Sequence, residues 1–360
     1  MEDNFNTLPP GEENQAAEVD GTTAEDAANE PILAREYVPF GFTKETYLEK
    51  RGIRRTAAVV GIPVICIYAI SAVWSTLYFL ITKSFGIGSA EAVEIANNPA
   101  IQQLLQVIIS TLMFTVPFIV AVKVIGMNVG EVVDFSAPEK ATVLPFFLFG
   151  IGFCAFANIA VSFAGSFFSG FGIDYSVDFG KNPRGFLGFL LSVFATVAIP
   201  ALVEEFACRG VVLGLLKRYG EGFAIIVSSI IFGVMHGNFE QMPFAFLVGI
   251  ILGFIYVKTK SIWVCVAVHA ANNLVSVLFS YATISDKVLN LIYTIYLMAC
   301  MLSAVAGVFM LSHKGSGVYA IGKSQTACSE RQKYKWFFTS VFIIAFIIIN
   351  LFEAVAYFAW

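Results

Sequence analysis

Six polar residues stand out in this sequence because they interrupt apolar runs at spacings suited to joint chemistry. The stretch Val203-Glu204-Glu205-Phe206-Ala207-Cys208-Arg209-Gly210 places two carboxylates and a guanidinium among hydrophobic neighbours. On a helix, Glu205 and Arg209 are four apart, share a face and can pair. Glu204 is turned about 100° away from Glu205 and is free to point elsewhere. The bland reading of such a pair is a structural ion bridge, which suits Glu205 and Arg209 better than Glu204. Of three histidines, His313 stands beside Lys314 at the edge of a run, where solvation accounts for it. His236 closes Phe232-Gly233-Val234-Met235-His236, and His269 opens His269-Ala270-Ala271-Asn272-Asn273. His269 and Asn273 again share one helix face. A lone buried histidine is usually a satisfied core residue. Two of them, with a Glu pair and an Asn, have the residue types for general acid–base work and for holding a developing oxyanion.

The elements that must position these groups are membrane spans. Hydrophobic residues make up 58% of the chain and charged ones 13%, with a mean hydropathy of +0.77, against about 25% charged in a soluble domain. The apolar residues fall in runs of about 20, the length a helix needs to cross a hydrocarbon core. This composition excludes a soluble enzyme and predicts an all-α, polytopic transmembrane bundle. Nine candidate spans cover 56–82, 102–126, 142–168, 185–216, 222–238, 241–257, 262–281, 288–311 and 335–359. The fourth is too long for one crossing, and Pro200 predicts a break there, since proline lacks the backbone donor and clashes with the preceding turn. Alternating from a cytoplasmic amino terminus puts 17 Lys and Arg on the inner face and 4 on the outer, with Arg209 inside a span. That bias predicts a plasma-membrane protein with its amino terminus in and its carboxyl terminus out.

Depth supports convergence of the polar groups from three separate helices. Glu204 precedes Lys217 by 13 residues, His236 follows Glu221 by 15, and Asn273 follows Lys260 by 13. At the helical rise each lies roughly 20 Å from the cytoplasmic edge, and His269 about 14 Å. Gly210 and Gly214, Gly233 and Gly237, and Gly249 and Gly253 have the small-xxx-small spacing that lets membrane helices approach closely.

Outside the spans, residues 1–36 carry ten acidic residues against Arg35 alone, and the remainder carries 21 basic and 16 acidic. Such a segment buries too little apolar area to order itself, so 1–45 reads as a disordered acidic cytoplasmic tail. It lacks the basic start and apolar centre of a signal peptide. The other divisions are 46–183, amino-terminal helices; 184–285, the core that carries the polar residues; and 286–360, carboxyl-terminal helices. Five of six cysteines fall in apolar runs and none forms a CxxC, which suggests neither a disulfide framework nor a zinc knuckle.

In their order and placement, Glu204-Glu205-xxx-Arg209, Phe232-xxx-His236 and His269-xxx-Asn273 resemble the three-motif signature of the CAAX prenyl endopeptidase and bacteriocin-processing family. That group takes in the type II CAAX endopeptidases and lysostaphin resistance protein A-like proteins. The resemblance covers about residues 185–281. It implies an intramembrane endopeptidase in which Glu204 and His236 activate a water while His269 and Asn273 hold the oxyanion, supported by Glu205 and Arg209. Its partners would be a protein or peptide substrate in the membrane and the lipid bilayer, with no nucleic acid. Family members are often labelled metalloproteases, and Glu204, His236 and His269 could supply three zinc ligands. No HExxH is present, and a metal-free mechanism explains the same residues. Family enzymes that trim prenylated proteins work from the cytosolic side, whereas the depth above sets the site in the outer half. A transporter or channel using the same Glu, His and Arg, and a non-catalytic scaffold, are the competing readings.

Overall fold

In a computed structural model, the chain is described over residues 38–84, 94, 97–173, 176–177, 181–323 and 325–359. The acidic segment 1–36 lies outside the described residues. The chain divides into two units, Met1–Tyr47 and Leu48–Trp360. Within the first, Thr43 Oγ1 accepts from the Thr46 amide at 3.2 Å, which starts a helical turn.

Among the described residues the regular structure is entirely helical. Helices α1 (Lys44–Ser84), α2 (Pro99–Val124) and α3 (Lys140–Ser169) lead into a continuous run, α4, from Gly185 to Tyr219. Then come α5 (Glu221–Val234), α6 (Gln241–Thr259), α7 (Ile262–Ser280), α8 (Asp286–Ser312), α9 (Glu330–Phe338) and α10 (Val341–Ala359). The most extensive pairings are α3 with α8 and α5 with α6. The protein is an integral membrane protein: seven of these helices are long and apolar enough to span a bilayer, or eight if the bent pair α9–α10 counts as one.

Three sequence expectations are corrected. The predicted break at Pro200 does not occur, because α4 runs on as helix from Gly185 to Tyr219. Instead the helix widens into π-helical turns at Val193–Ala198 and Phe206–Leu213, on either side of Ile199–Glu205. In the first, the Ile199 amide reaches back to the Phe194 carbonyl. The extra residue per turn accommodates the proline within one helical run.

Second, 222–238 is not a full crossing. Helix α5 has 14 residues, about 21 Å at the helical rise. It stops because Gly237 adopts φ +65° and Asn238 turns the chain, its Oδ1 accepting from the Gln241 amide at 2.8 Å. Third, the run 335–359 is broken by a 69° bend between α9 and α10. Helix α9 is polar, and its buried Lys333 ammonium donates to the Tyr219 carbonyl at 2.7 Å. With seven or eight spans rather than nine, the alternation that put the carboxyl terminus outside no longer follows from the count.

The glycine pairs also divide. Gly233, Gly249 and Gly253 do lie at the α5–α6 contact, against Phe246, Ser229 and Ile225 respectively. Gly210 and Gly214 instead admit the connection between α2 and α3, whose Val133 and Val132 pack on them. Ser261 and the Ile262 amide fasten the same connection to the start of α7 through the Ser136 and Asp134 carbonyls, at 2.7 and 3.1 Å. All six cysteines are free thiols, and all but Cys66 are buried.

Candidate functional site

The six residues singled out from sequence gather around one place. Glu204, His236, His269 and Asn273 line a common cavity of about 1030 Å³, while Glu205 and Arg209 lie buried behind it. The two carboxylates part as helical geometry requires. Glu205 is fully buried, and its Oε1 accepts from Arg209 Nη1 at 2.8 Å. The same oxygen accepts from His269 Nδ1 at 2.8 Å. Glu204 keeps 17% of its side chain exposed and brings Oε2 within 3.9 Å of His269 Nε2.

Both imidazoles are held by their far nitrogens. His236, on the turn just past α5 rather than inside a span, places Nδ1 2.7 Å from the Phe232 carbonyl. A carbonyl only accepts, so Nδ1 carries the proton and Nε2 presents a lone pair. In His269 the Glu205 carboxylate imposes the same tautomer, leaving Nε2 toward Glu204. Phe232 joins these parts. The Arg209 guanidinium lies 4.2 Å from its ring centroid, and both imidazoles pack edge-on to it at 5.1 and 5.9 Å.

Asn273 is set by the proline. Pro200 has no N–H for the Thr196 carbonyl four residues back, and that carbonyl accepts from Asn273 Nδ2 at 3.2 Å. Asn272 donates to Asn273 Oδ1 at 3.3 Å, which leaves the second amide hydrogen of Asn273 to serve the cavity.

Further residues escaped the sequence reading. Asn158, Ser162, Ser166 and Ser169 form a polar stripe down α3, and Ser276 and Ser280 extend one down α7. Their steps of three and four residues were a readable signal, since such spacing marks one helix face. They carry the cavity to the ends of α3 and α7, the ends remote from Lys217 and Lys260. A second cavity of about 550 Å³, between α1 and α2, also reaches Glu204. Glu353, an acid within the apolar α10, was also passed over.

The comparisons with known proteins fall on this part of the chain. Residues 186–275 are similar to the type II CAAX prenyl endopeptidases of the Rce1-like family. The resemblance carried by the three motifs therefore holds over the segment that contains all six residues. Two curated relatives match at modest identity. YdiL of Bacillus subtilis, a candidate membrane peptidase, is 29% identical over 23% of this chain and 34% of its own length. MroQ of Staphylococcus aureus, a membrane-embedded CAAX protease, is 33% identical over 24% of this chain and 38% of its own. The chain thus spans just over a third of the length of these relatives. No solved structure matches it.

Proposed function

We propose that this protein is an intramembrane endopeptidase that hydrolyses a peptide bond of a membrane-associated protein or peptide with a water activated by Glu204 and His236. The observation that carries this reading is the division of labour between the two glutamates. Glu205 is neutralised and buried, while Glu204 is left in the cavity with the two Nε2 atoms. In the proposed step Glu204 takes a proton from water as its oxygen attacks the scissile carbonyl, with His236 Nε2 sharing the load. The negative charge that develops on the carbonyl oxygen is met by the Asn273 amide and by His269. To donate from Nε2, His269 would carry a proton on each ring nitrogen, with Nδ1 held by the Glu205 carboxylate. Collapse of the intermediate passes the proton to the departing amine. The polar stripes on α3 and α7 supply the water, which lipid would otherwise exclude.

A zinc ion suits the donors in kind. His236 and His269 would offer Nε2 and Glu204 a carboxylate, each imidazole oriented by a hydrogen-bonded partner behind it. Among the described residues no three such side chains converge to a metal-holding geometry. If bound there, zinc would supply an acidified water. The metal-free route is the one we favour. We further place the protein in the plasma membrane with a cytoplasmic amino terminus, which sets the cavity mouth on the outer side.

The test compares peptide termini in the membrane and secreted proteomes of cells carrying wild type or Glu204→Gln. Loss of a general base lowers a rate by about 10²–10⁴, so termini that depend on the wild type should vanish in the variant. Identical profiles with equal protein abundance would overturn the reading in favour of a transporter or scaffold. On the purified protein, a chelator that stops cleavage, with zinc restoring it, would select the metal route.

A further inference from the structure

The last helix lies outside the family-matched segment, yet it reaches the turn that carries His236. Three polar side chains meet behind this turn. Tyr68 of α1 donates its hydroxyl to Asn350 Oδ1. Asn350 is fully buried and spends its amide on the Phe346 carbonyl at 2.8 Å. One turn further along α10, half-buried Glu353 faces Gly237, so closely that a Cβ placed there would lie 2.9 Å from its Oε2. Glycine at 237 is favoured by its positive φ, and it lets the carboxylate approach the turn closely.

Polar and ionisable groups are costly in membrane helices and are kept where they serve something. Elsewhere α10 is almost wholly apolar. Packing alone would be better served by leucine at 353, which would fill the space without the desolvation cost of a carboxylate. What the carboxylate can do is hold the turn. The turn is the part of the site built on irregular backbone, since His236 alone of the six residues lies outside a helix. The Asn238 bonds to the His236 carbonyl and to Gln241 fix its shape from within. Its two ends are tied outward, Met235 to Cys208 of α4 at 3.7 Å and Glu240 to the Val177 amide at 2.6 Å, while Glu353 backs its middle, beside His236.

We propose that Glu353 is a positioning residue, which presses on Gly237 to fix the Met235–Glu240 turn and with it the direction of His236 Nε2, with Tyr68 and Asn350 locking α10 in register. This rests on the endopeptidase reading and adds a part to the site that the family-matched segment does not contain.

The experiment uses the full chain in lipid nanodiscs and a peptide spanning a cleavage site identified by the termini comparison. Glu353→Leu puts an apolar residue into an apolar helix and should leave the thermal midpoint at or above that of wild type. Its kcat should fall about tenfold or more while KM stays within about twofold, because the cavity walls on α3 and α7 are untouched. Glu353→Gln, which keeps the length and an acceptor oxygen, should recover most of the loss. Wild-type kcat in Glu353→Leu, or a Gln variant as slow as the Leu variant, would overturn the proposal. If Glu353→Leu fails to reach the membrane, Tyr68→Phe decides: a kcat loss at unchanged KM and midpoint supports the proposal, and wild-type kcat overturns it. Absence of cleavage by the wild type would instead remove the endopeptidase reading, leaving the two failures distinguishable.

Discussion

Glu204 and Glu205 differ by one position and have opposite surroundings, because a helix turns about 100° between neighbours. Glu205 points into the bundle, where Arg209 and His269 share one of its oxygens. Glu204 points into the cavity. Their substitution by glutamine should therefore separate stability from activity. Breaking a buried pair leaves an uncompensated charge and costs about 3–5 kcal/mol, so Glu205→Gln should lower the thermal midpoint and the amount of protein in the membrane. Glu204→Gln should leave both near wild type while abolishing cleavage. Thermal unfolding of the two variants in the same detergent checks this, and equal destabilisation would contradict it. The pairing of Glu205 with Arg209 was legible from the four-residue spacing. Its bond to His269 was not, because 64 residues of chain separate the partners and only packing brings them together.

At the scale of elements, Pro200 is the instructive case. Read locally, it predicted a broken span. In the fold, π-helical turns flank the proline, and the Thr196 carbonyl, to which Pro200 offers no N–H, accepts from Asn273. Alanine at 200 would restore a backbone N–H and improve helix propensity, by up to about 3 kcal/mol on intrinsic scales. The restored donor would compete with Asn273 for Thr196 and loosen the amide. Pro200→Ala should therefore raise thermal stability while lowering kcat, a combination read by running the unfolding and cleavage assays on one preparation. Helix α5 makes the converse point. Its apolar run looked long enough to cross, yet the helix ends at Val234. Non-helical backbone is tolerated at membrane depth only where it is buried or lines a cavity, and the turn that follows lines one. Hydropathy counts apolar residues and cannot detect where a wet cavity lets a helix stop.

For the whole molecule, the polar stripes on α3 and α7 define a route to the site from one membrane face. Cysteine placed at Ser276, on the cavity wall, should react with a membrane-impermeant maleimide added to intact cells. Cysteine at Lys260, at the other end of the bundle, should react only after the membrane is opened. Labelling above the wild-type background, which carries six native cysteines, reports the result. The reverse pattern would turn the protein over and put the cavity mouth in the cytoplasm, the side from which trimming of prenylated proteins would be expected.

The helical membrane class followed from composition, because a chain with so little charge and runs of about 20 apolar residues has no soluble alternative. That these six residues could gather in one place was likewise readable, since each is a polar group in a run where it is costly and the spacings put partners on common faces. Tertiary structure decided what depends on distance between elements. It joined His269 to Glu205, gave Asn273 its acceptor, set His236 on a turn instead of within a helix, and brought Glu353 of the last helix against Gly237. Periodicity along a chain reports which residues share a face, whereas contacts between remote segments depend on where helices stop, bend and cross, and these are settled by packing.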